Sequence, residues 1–335
     1  MKDASKKKDN KEMGRVVWWN GTFVPEREAR VSVYDSALMF GDMVFEMTRS
    51  FNKKQWKLRE HLERLYASIN YVQIPLKMTI DEMEKHVYET IEANEHTLKS
   101  NDEHRIMIDV SRGLLGIYAD RVDWPTGPNV IIGDFPLRWT VSNMGHLFDT
   151  GINAVIPSQR TIPASLLEPK VKNRSRLHYL MANIETSQVK GEDNWALLLD
   201  PDGFITEGTG DNFFIVKGKT IISPEGRNIL RGISRAYVME TLAPALGYSV
   251  VERNIEPYDV YTADEAFMTA TPFCILPVAT LNGRQIGKNI MGPVTKQLLD
   301  TWSKNVGLDI AGQIKKWDED PKRESTTATP YQFKK

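Results

Sequence analysis

The segment Gly203–Phe214, GFITEGTGDNFF, constrains the fold of this 335-residue chain more than any other stretch. A short run, Phe204-Ile205-Thr206, ends at the carboxylate of Glu207, and glycines then interrupt the chain before a second apolar run begins. The turn signal Pro201-Asp202-Gly203 precedes it, so the segment is predicted to be the return strand of a hairpin. Because an unpaired buried carboxylate is costly, Glu207 needs a cationic or N–H partner. The segment alone leaves that partner open.

Composition narrows the classes of function. The chain has 43 lysine and arginine residues and 44 aspartate and glutamate residues, so its net charge is −1. This near balance gives no support for a nucleic-acid or anionic-membrane partner. No apolar run approaches the roughly 18 residues of a membrane span, and the polar N-terminus is not a secretory signal. The single cysteine, Cys274, rules out an internal disulfide and lies in an apolar run typical of a core residue. We therefore expect a cytoplasmic protein.

Turn residues and hydrophobic periodicity predict an alternation of strands and helices. Asn20-Gly21 joins two apolar runs within Val16–Val24 and favours a two-residue hairpin, since a type I′ turn needs positive φ at both positions. Leu58–Tyr71 has helical periodicity, and Thr79 with Glu82 resembles a capping box. Further strands are predicted at Ile106–Val110, Val130–Phe135, Ile152–Pro157, Ala196–Leu199, Ala266–Thr269 and Ile275–Leu281, and further helices at Ser175–Lys190, after Arg231–Arg235 up to Leu246, and at Met291–Asn305. The chain is therefore predicted to be α+β.

The predicted elements fall into two parts. Leu137–Leu147 lacks clear periodicity and is the candidate connection between domains. The resulting prediction is a disordered tail at residues 1–14, a small N-terminal domain at 15–140, a large C-terminal domain at 141–310 and a C-terminal tail at 311–335.

The strand predicted at Val44–Arg49 carries two charged residues, Glu46 and Arg49, among apolar ones. One interpretation is that one face of this strand lines a polar cavity. The other is an edge strand with solvated charges. This stretch by itself favours neither.

Six motifs, in their order along the chain, together resemble one family. They are DMVFE at 42–46, HLERL at 61–65, PKVKN at 169–173, TEGT at 206–209 with Asn212, LRGISR at 230–235 and GPVTK at 292–296. Over Val16 to Val306 the chain resembles the class IV (fold type IV) pyridoxal-phosphate aminotransferases, which include branched-chain and D-amino-acid transaminases, (R)-amine transaminases and aminodeoxychorismate lyase. The resemblance implies two domains, a small N-terminal α/β domain and a larger C-terminal β-rich domain with helices. It also implies a homodimer whose site is completed by the other subunit.

The resemblance implies pyridoxal 5′-phosphate as the cofactor and assigns residues to it. Lys172 is implied to bond covalently to the cofactor and to carry the proton during catalysis, which burial of its amine would promote. Lys170 is the local alternative, disfavoured because the family pattern starts a helix just after the reactive lysine. Glu207 is implied to face the pyridine nitrogen and keep it protonated, which gives the carboxylate a cationic partner.

The resemblance also assigns the phosphate site. Arg64 is implied to supply positive charge. Gly232, Ile233 and Ser234 open a helix, and the N–H groups of a helix start suit a phosphate. Thr271 is a further candidate on the facing turn, and no metal is predicted.

The substrate side departs from the branched-chain pattern. Those enzymes offer consecutive backbone N–H groups to the substrate carboxylate at the turn that matches Ala270-Thr271-Pro272, and Pro272 has no N–H. They also carry a tyrosine shortly after the lysine, where this chain has Leu177, with Tyr179 close by. The residues that could line the pocket are Phe45, Met47, Arg49, Arg105 and Met107. Of these, the two arginines are candidate carboxylate clamps, with structural salt bridges as the alternative.

The predicted function is a cytoplasmic, homodimeric aminotransferase that exchanges an amino group between an amino acid and a 2-oxo acid such as 2-oxoglutarate. A branched-chain donor is favoured over a D-amino acid or an (R)-amine. A lyase acting on aminodeoxychorismate, with the same cofactor, is an alternative reaction class. A cofactor-binding scaffold without activity is the non-enzymatic alternative, disfavoured because Lys172, Glu207 and Arg64 are all present.

Overall fold

A computed structural model describes residues 14–319 of the chain, so most of the predicted N-terminal tail and the end of the C-terminal one lie outside the described residues. Two compact units are present. The first ends at Trp139 and also takes in Val171–Ser175, and the second comprises Thr140–Lys170 and the chain from Arg176 onward. No helix within residues 14–319 is long and apolar enough to cross a membrane.

The first unit contains an antiparallel sheet whose strands lie in the order β2-β1-β7-β6-β3. Its strands are β1 Val16–Trp19, β2 Thr22–Pro25, β3 Met43–Met47, β6 His104–Ser111 and β7 Asn129–Pro136, with a separate hairpin of β4 Ser50–Phe51 and β5 Lys54–Gln55. Asn20 and Gly21 have φ of 47° and 98°, which confirms the predicted hairpin turn. The strand predicted to continue to Arg49 ends at Met47 instead.

The described part of the first unit has four α-helices, of which the two longer ones pack against the sheet. They are α1 Ser36–Phe40, α2 Leu58–Tyr71, α3 Ile80–Asn94 and α4 Gly116–Ala119, with 3-10 turns at Glu26–Glu28 and Glu95–Thr97. The bounds of α2 match the prediction, and the capping box of Thr79 and Glu82 is present at the start of α3. Leu62 and Leu65 of α2 are fully buried in one cluster with Ile106 and Ile108 of β6. The periodic apolar stripe of α2 therefore forms the core of this unit.

The second unit is β-rich, as predicted. Its strands are β8 Ile152–Val155, β9 Asn194–Leu199, β10 Ile205–Gly208, β11 Asn212–Lys217, β12 Thr220–Ser223, β13 Ser249–Glu252, β14 Glu265–Ala270, β15 Cys274–Leu281 and β16 Arg284–Gln285. They lie in the order β10-β9-β8-β15-β14-β11-β12-β13, and a further pairing of β10 with β11 closes the first six into a ring. That pairing joins Glu207 to Asn212, so the glycine-broken segment is the seam of the ring.

The helices of the second unit differ from the predictions at their ends. They are α5 Arg138–Val141, which begins at the boundary of the units, α6 Leu147–Thr150, α7 Leu177–Thr186, α8 Ile233–Tyr237 with a π-helical turn Val238–Leu242 and α9 Ala243–Ala245, α10 Pro257–Tyr261, α11 Pro293–Val306 and α12 Ile310–Asp318. The helix predicted at Ser175–Lys190 is shorter at both ends. Residues 310–318 are helical rather than a polar tail, because Ile310, Ile314 and Trp317 are buried. Cys274 is buried, as expected.

Candidate active site

A fully buried carboxylate, Glu46 of β3, organises one cluster in the first unit. It accepts hydrogen bonds from Arg64 Nε at 2.6 Å, Arg64 Nη2 at 2.9 Å and His61 Nδ1 at 2.7 Å. His61 and Arg64 are three residues apart on α2 and therefore share a face. Burial alone would raise the pKa of Glu46, but Arg64 and His61 together hold it below its ordinary value. The cluster fixes Arg64 as a cation in one position, and Glu46 lines a buried polar site rather than a solvated edge.

Replacing Glu46 with glutamine is expected to lower the free energy of unfolding by about 3 kcal/mol at neutral pH, because Arg64 and His61 lose a buried anion. The folded-state pKa of Glu46 lies below its ordinary value of 4.5, so the stabilisation is present above about pH 4.5 and is lost as the pH falls below it. Urea unfolding of both proteins from neutral pH down to about pH 3 measures this difference.

The pair of Asp42 and Arg112 provides a control for that measurement. Its side chains are partly exposed, at 23% and 33%. Asp42→Asn is therefore expected to cost no more than about 1 kcal/mol. A cost for Glu46→Gln that is equally small, or that stays constant down to low pH, would contradict the ion pairing assigned to Glu46.

Lys172 lies beside β3 in the same unit. Its carbonyl accepts from the backbone N–H of Phe45 at 2.9 Å, and its own N–H donates to Ser68 Oγ at 3.3 Å. Ser68 Oγ in turn donates to the carbonyl of Arg64 at 3.0 Å. The amine Nζ of Lys172 lies 4.7 Å from the centroid of the Phe45 ring. The Ser68 hydroxyl therefore links the backbone of Lys172 to the backbone of Arg64, although the two residues are 108 positions apart in the sequence.

Lys170, the alternative to Lys172, lies in the second unit. Its amine is 2.5 Å from Glu168 Oε1 and donates to the carbonyl of Arg227 at 3.2 Å.

One face of the sheet in the first unit carries the residues predicted to contact substrate. Phe45 and Met47 alternate along β3, and in β6 they stand opposite Asp109 and Met107 respectively. Arg105 is two residues before Met107 and therefore shares this face. Glu46 points to the opposite face, where α2 packs.

The two predicted carboxylate clamps, Arg49 and Arg105, are both buried. Arg49 Nε donates to the carbonyl of Ser50 at 3.1 Å, and its guanidinium stacks on Phe51 at 3.9 Å. Arg105 Nη2 lies 3.6 Å from Met47 Sδ, while Nε and Nη1 have no hydrogen-bond partner among residues 14–319. Burial and the charge of Arg49 lower the pKa of Arg105 to about 9. A buried guanidinium with two N–H groups that lack partners is suited to bind an anion.

Glu207 is the corresponding buried carboxylate of the second unit. Tyr179 donates its hydroxyl proton to Oε1 at 3.0 Å, and Asn212 Nδ2 and the N–H of Leu230 donate to Oε2 at 2.9 and 3.0 Å. All of these donors are neutral. Burial raises the pKa of Glu207 to about 7, although the hydrogen bonds from Tyr179 and Leu230 and the charge of Arg176 act in the opposite direction. The carboxylate is therefore held in place by hydrogen bonds but not neutralised by them.

The predicted phosphate residues of the second unit surround the start of α8. Gly232 is its N-cap and has no side-chain cap, and Ile233 is the first helical residue. Ser234 and Thr269 are buried, and their hydroxyl oxygens have no hydrogen-bond partner in the described part of the chain. A Cβ atom at Gly232 would lie 2.1 Å from Asn212 Oδ1, so any side chain there would require Asn212 to move. The helix start thus offers unsatisfied hydroxyls, which suit an anion.

The turn after β14 carries Thr271 and Pro272, both half-buried. Pro272 offers no N–H group at this turn, as the sequence indicated.

The structure therefore places the predicted residues in two sets. The first unit contains Phe45, Arg64, Lys172, Arg49, Arg105 and Met107, and the second contains Glu207, Gly232, Ile233, Ser234, Thr271 and Pro272. The sequence analysis missed several contacts, among them the hydroxyl of Tyr179 on Glu207 and a pair between Arg174 and Asp109 with Nε 2.8 Å from Oδ1. The arginines that follow Lys172 in KNRSR were the available signal for the second.

Comparison with known proteins identifies what this arrangement is similar to. Residues 43–281 match the family model of amino-transferase class IV. A putative branched-chain-amino-acid aminotransferase of Methanocaldococcus jannaschii is 38% identical over 285 residues, which cover 84% of this chain and 93% of the relative. The branched-chain aminotransferase of Thermoproteus uzoniensis, solved with norvaline, has a TM-score of 0.76 at 29% identity and covers 90% of this chain and 96% of its own. That of Thermobaculum terrenum, in its PLP form, has a TM-score of 0.75 at 26% identity, with 91% and 97% covered.

Proposed function

The chain belongs to the class IV aminotransferase family and is a transaminase, and we propose that it moves the amino group of a branched-chain amino acid to a 2-oxo acid such as 2-oxoglutarate. The relative at 38% identity is named for branched-chain donors. Phe45, Met47 and Met107 place three large apolar side chains on one face of the sheet, which favours an apolar donor side chain. Arg105 lies on the same face and is suited to the second carboxylate of 2-oxoglutarate.

The cofactor that we propose is pyridoxal 5′-phosphate, which a solved relative contains in its PLP form. The observation that carries this assignment is the buried carboxylate of Glu207, which has only neutral donors among the described residues. A protonated pyridine nitrogen is the cation that would satisfy it. The unsatisfied hydroxyls of Ser234 and Thr269 support a phosphate at the start of α8, and we assign Gly232, Ile233 and Thr271 to the same phosphate.

Three residues have proposed roles in holding the cofactor and in the reaction. Lys172 would hold the cofactor covalently, and its amine would take the proton from the amino-bearing carbon of the donor. Arg64, fixed by Glu46, would supply positive charge for the phosphate. Glu207 would favour the protonated form of the ring nitrogen. The bound cofactor supplies an electron sink for the charge that develops when the donor loses its proton.

The proposed assembly is a homodimer. Val33, Leu38 and Phe40, in and next to α1, are exposed to 71%, 62% and 67%. A cluster of large apolar side chains on the surface is typical of a protein interface. A cytoplasmic location is proposed because the single cysteine is free and needs no oxidising compartment.

An amino-donor screen tests the proposed function. With 2-oxoglutarate as acceptor, L-leucine is expected to be converted at least about tenfold faster, by kcat/KM, than D-alanine or (R)-1-phenylethylamine, because the site is built for an apolar side chain next to a carboxylate. Preference for D-alanine or for the amine would replace the donor assignment. Pyruvate release from aminodeoxychorismate without any 2-oxo acid would instead assign a lyase.

A further inference from the structure

Arg174 lies two residues after Lys172, and both side chains contact the same aromatic ring. Arg174 Cζ is 3.7 Å from the centroid of the Phe45 ring, and Lys172 Nζ is 4.7 Å from it. A guanidinium stacked on an aromatic face is held in orientation by the ring. The structure thus places a fixed cation next to the amine that is proposed to react.

Asp109 fixes this guanidinium from one side only. Nε and Nη2 of Arg174 both lie 2.8 Å from the single oxygen Oδ1 of Asp109. Nη1 donates to no residue in the described range 14–319. The Arg174 side chain is 32% exposed, whereas that of Asp109 is 10% exposed. The guanidinium is therefore anchored through one edge, and its other edge is available for a second anion.

The reaction itself requires an anion-binding group near Lys172. A 2-amino acid and a 2-oxo acid both carry the carboxylate on the carbon that reacts, so the group that binds it must lie close to the reacting amine. Pro272 offers no backbone N–H to an anion at the turn after β14. Arg49 stacks on Phe51, and Arg105 lies against Met47, further along the sheet.

We propose that Arg174 binds the α-carboxylate of the amino donor and of the 2-oxo acid. Asp109 is a positioning residue that orients Arg174 for this contact. Arg174 then forms one carboxylate site next to Lys172, and Arg105 forms a second one on the same face of the sheet. Mono- and dicarboxylic substrates both place the α-carboxylate at the site of Arg174. The inference rests on the proposed transaminase site but does not depend on which amino acid is the donor.

The test uses the holoenzyme and two non-reactive probes of the same shape, 4-methylvalerate and 4-methylvaleramide. Wild type is expected to bind the carboxylate about 10- to 100-fold more tightly than the amide, because a charge-assisted bidentate contact has roughly that effect. In Arg174→Ala this preference should disappear, and KM for L-leucine should rise by a similar factor while kcat changes by less than about threefold. Arg174→Lys is expected to restore part of the preference.

Two controls separate binding from folding. Arg174→Ala leaves Asp109 unpaired, so Arg174→Ala with Asp109→Asn removes both charges and should lose the preference in the same way while unfolding like wild type. Arg112→Ala breaks a comparable pair with Asp42 and should keep the preference. Retention of the carboxylate preference in the double variant would overturn the proposal. Failure of wild type to convert L-leucine would overturn the donor assignment instead, since probe binding needs no turnover.

Discussion

Replacing Lys172 with alanine is expected to slow transamination by at least about 10³-fold, within the range attributed to a positioned acid–base group and increased by loss of the covalent anchor. Covalent attachment of pyridoxal phosphate should be lost as well. Borohydride reduction of the wild-type holoenzyme, followed by peptide mapping, should find the cofactor on the peptide that contains Lys172. Steady-state rates at saturating donor and acceptor measure the loss of activity.

Lys170→Ala is the matched control for this change. The amine of Lys170 pairs with Glu168 and donates to Arg227, so its loss removes a partly exposed ion pair only. Activity is expected to stay within about threefold of wild type. Cofactor found on Lys170, or a wild-type protein that binds no cofactor, would overturn the assignment of Lys172.

Glutamine in place of Glu207 is expected to retain cofactor binding and to slow transamination by about 10²- to 10³-fold, because the ring nitrogen loses the charge that keeps it protonated. The side chain keeps its shape and its contact with Tyr179, so binding through Lys172 and the phosphate groups is preserved. The measurement compares kcat with the dissociation constant of the cofactor. Unchanged kcat would exclude the role given to Glu207.

Glu265 offers a matched control in the same unit. This buried carboxylate also has neutral donors, the N–H groups of Val294 and Thr295 and the Thr295 hydroxyl, at 2.9, 2.8 and 2.7 Å. Glu265→Gln is expected to destabilise the start of α11 but to leave kcat of the folded enzyme within about threefold of wild type. An equal loss of kcat in both variants would show that the effect is general destabilisation.

The ionisation of Glu207 adds a dependence on pH. Its folded-state pKa is raised from 4.5 to about 7, so in the cofactor-free protein its contribution to stability is full below about pH 4.5 and is lost as the pH rises through about 7. Cofactor-free Glu207→Gln should therefore be more stable than wild type above about pH 7, and addition of pyridoxal phosphate should stabilise wild type more than the variant.

Sequence reasoning succeeded where the signal is local. The hairpin at Asn20-Gly21, the capping box at Thr79 and the helix Leu58–Tyr71 follow from backbone geometry and periodicity within a few residues, and all are present. The family resemblance was also confirmed. It could be read from the sequence because its motifs are short and their order along the chain is fixed. The predicted C-terminal tail was wrong for residues 311–318, which form a helix because Ile314 and Trp317 are buried, a pattern that the polar residues around them obscure.

The amino-acid sequence by itself thus determined the α+β class, the family, and the identity of the lysine and the carboxylate proposed to hold the cofactor. Only the tertiary structure decided which charges are paired and which are not. Glu46 meets Arg64, Asp109 meets Arg174, and Tyr179 meets Glu207 across 18, 65 and 28 positions of sequence. The physical reason is that the energy of a buried charge depends on partners that folding brings within hydrogen-bond distance, and no periodicity along the chain records those distances.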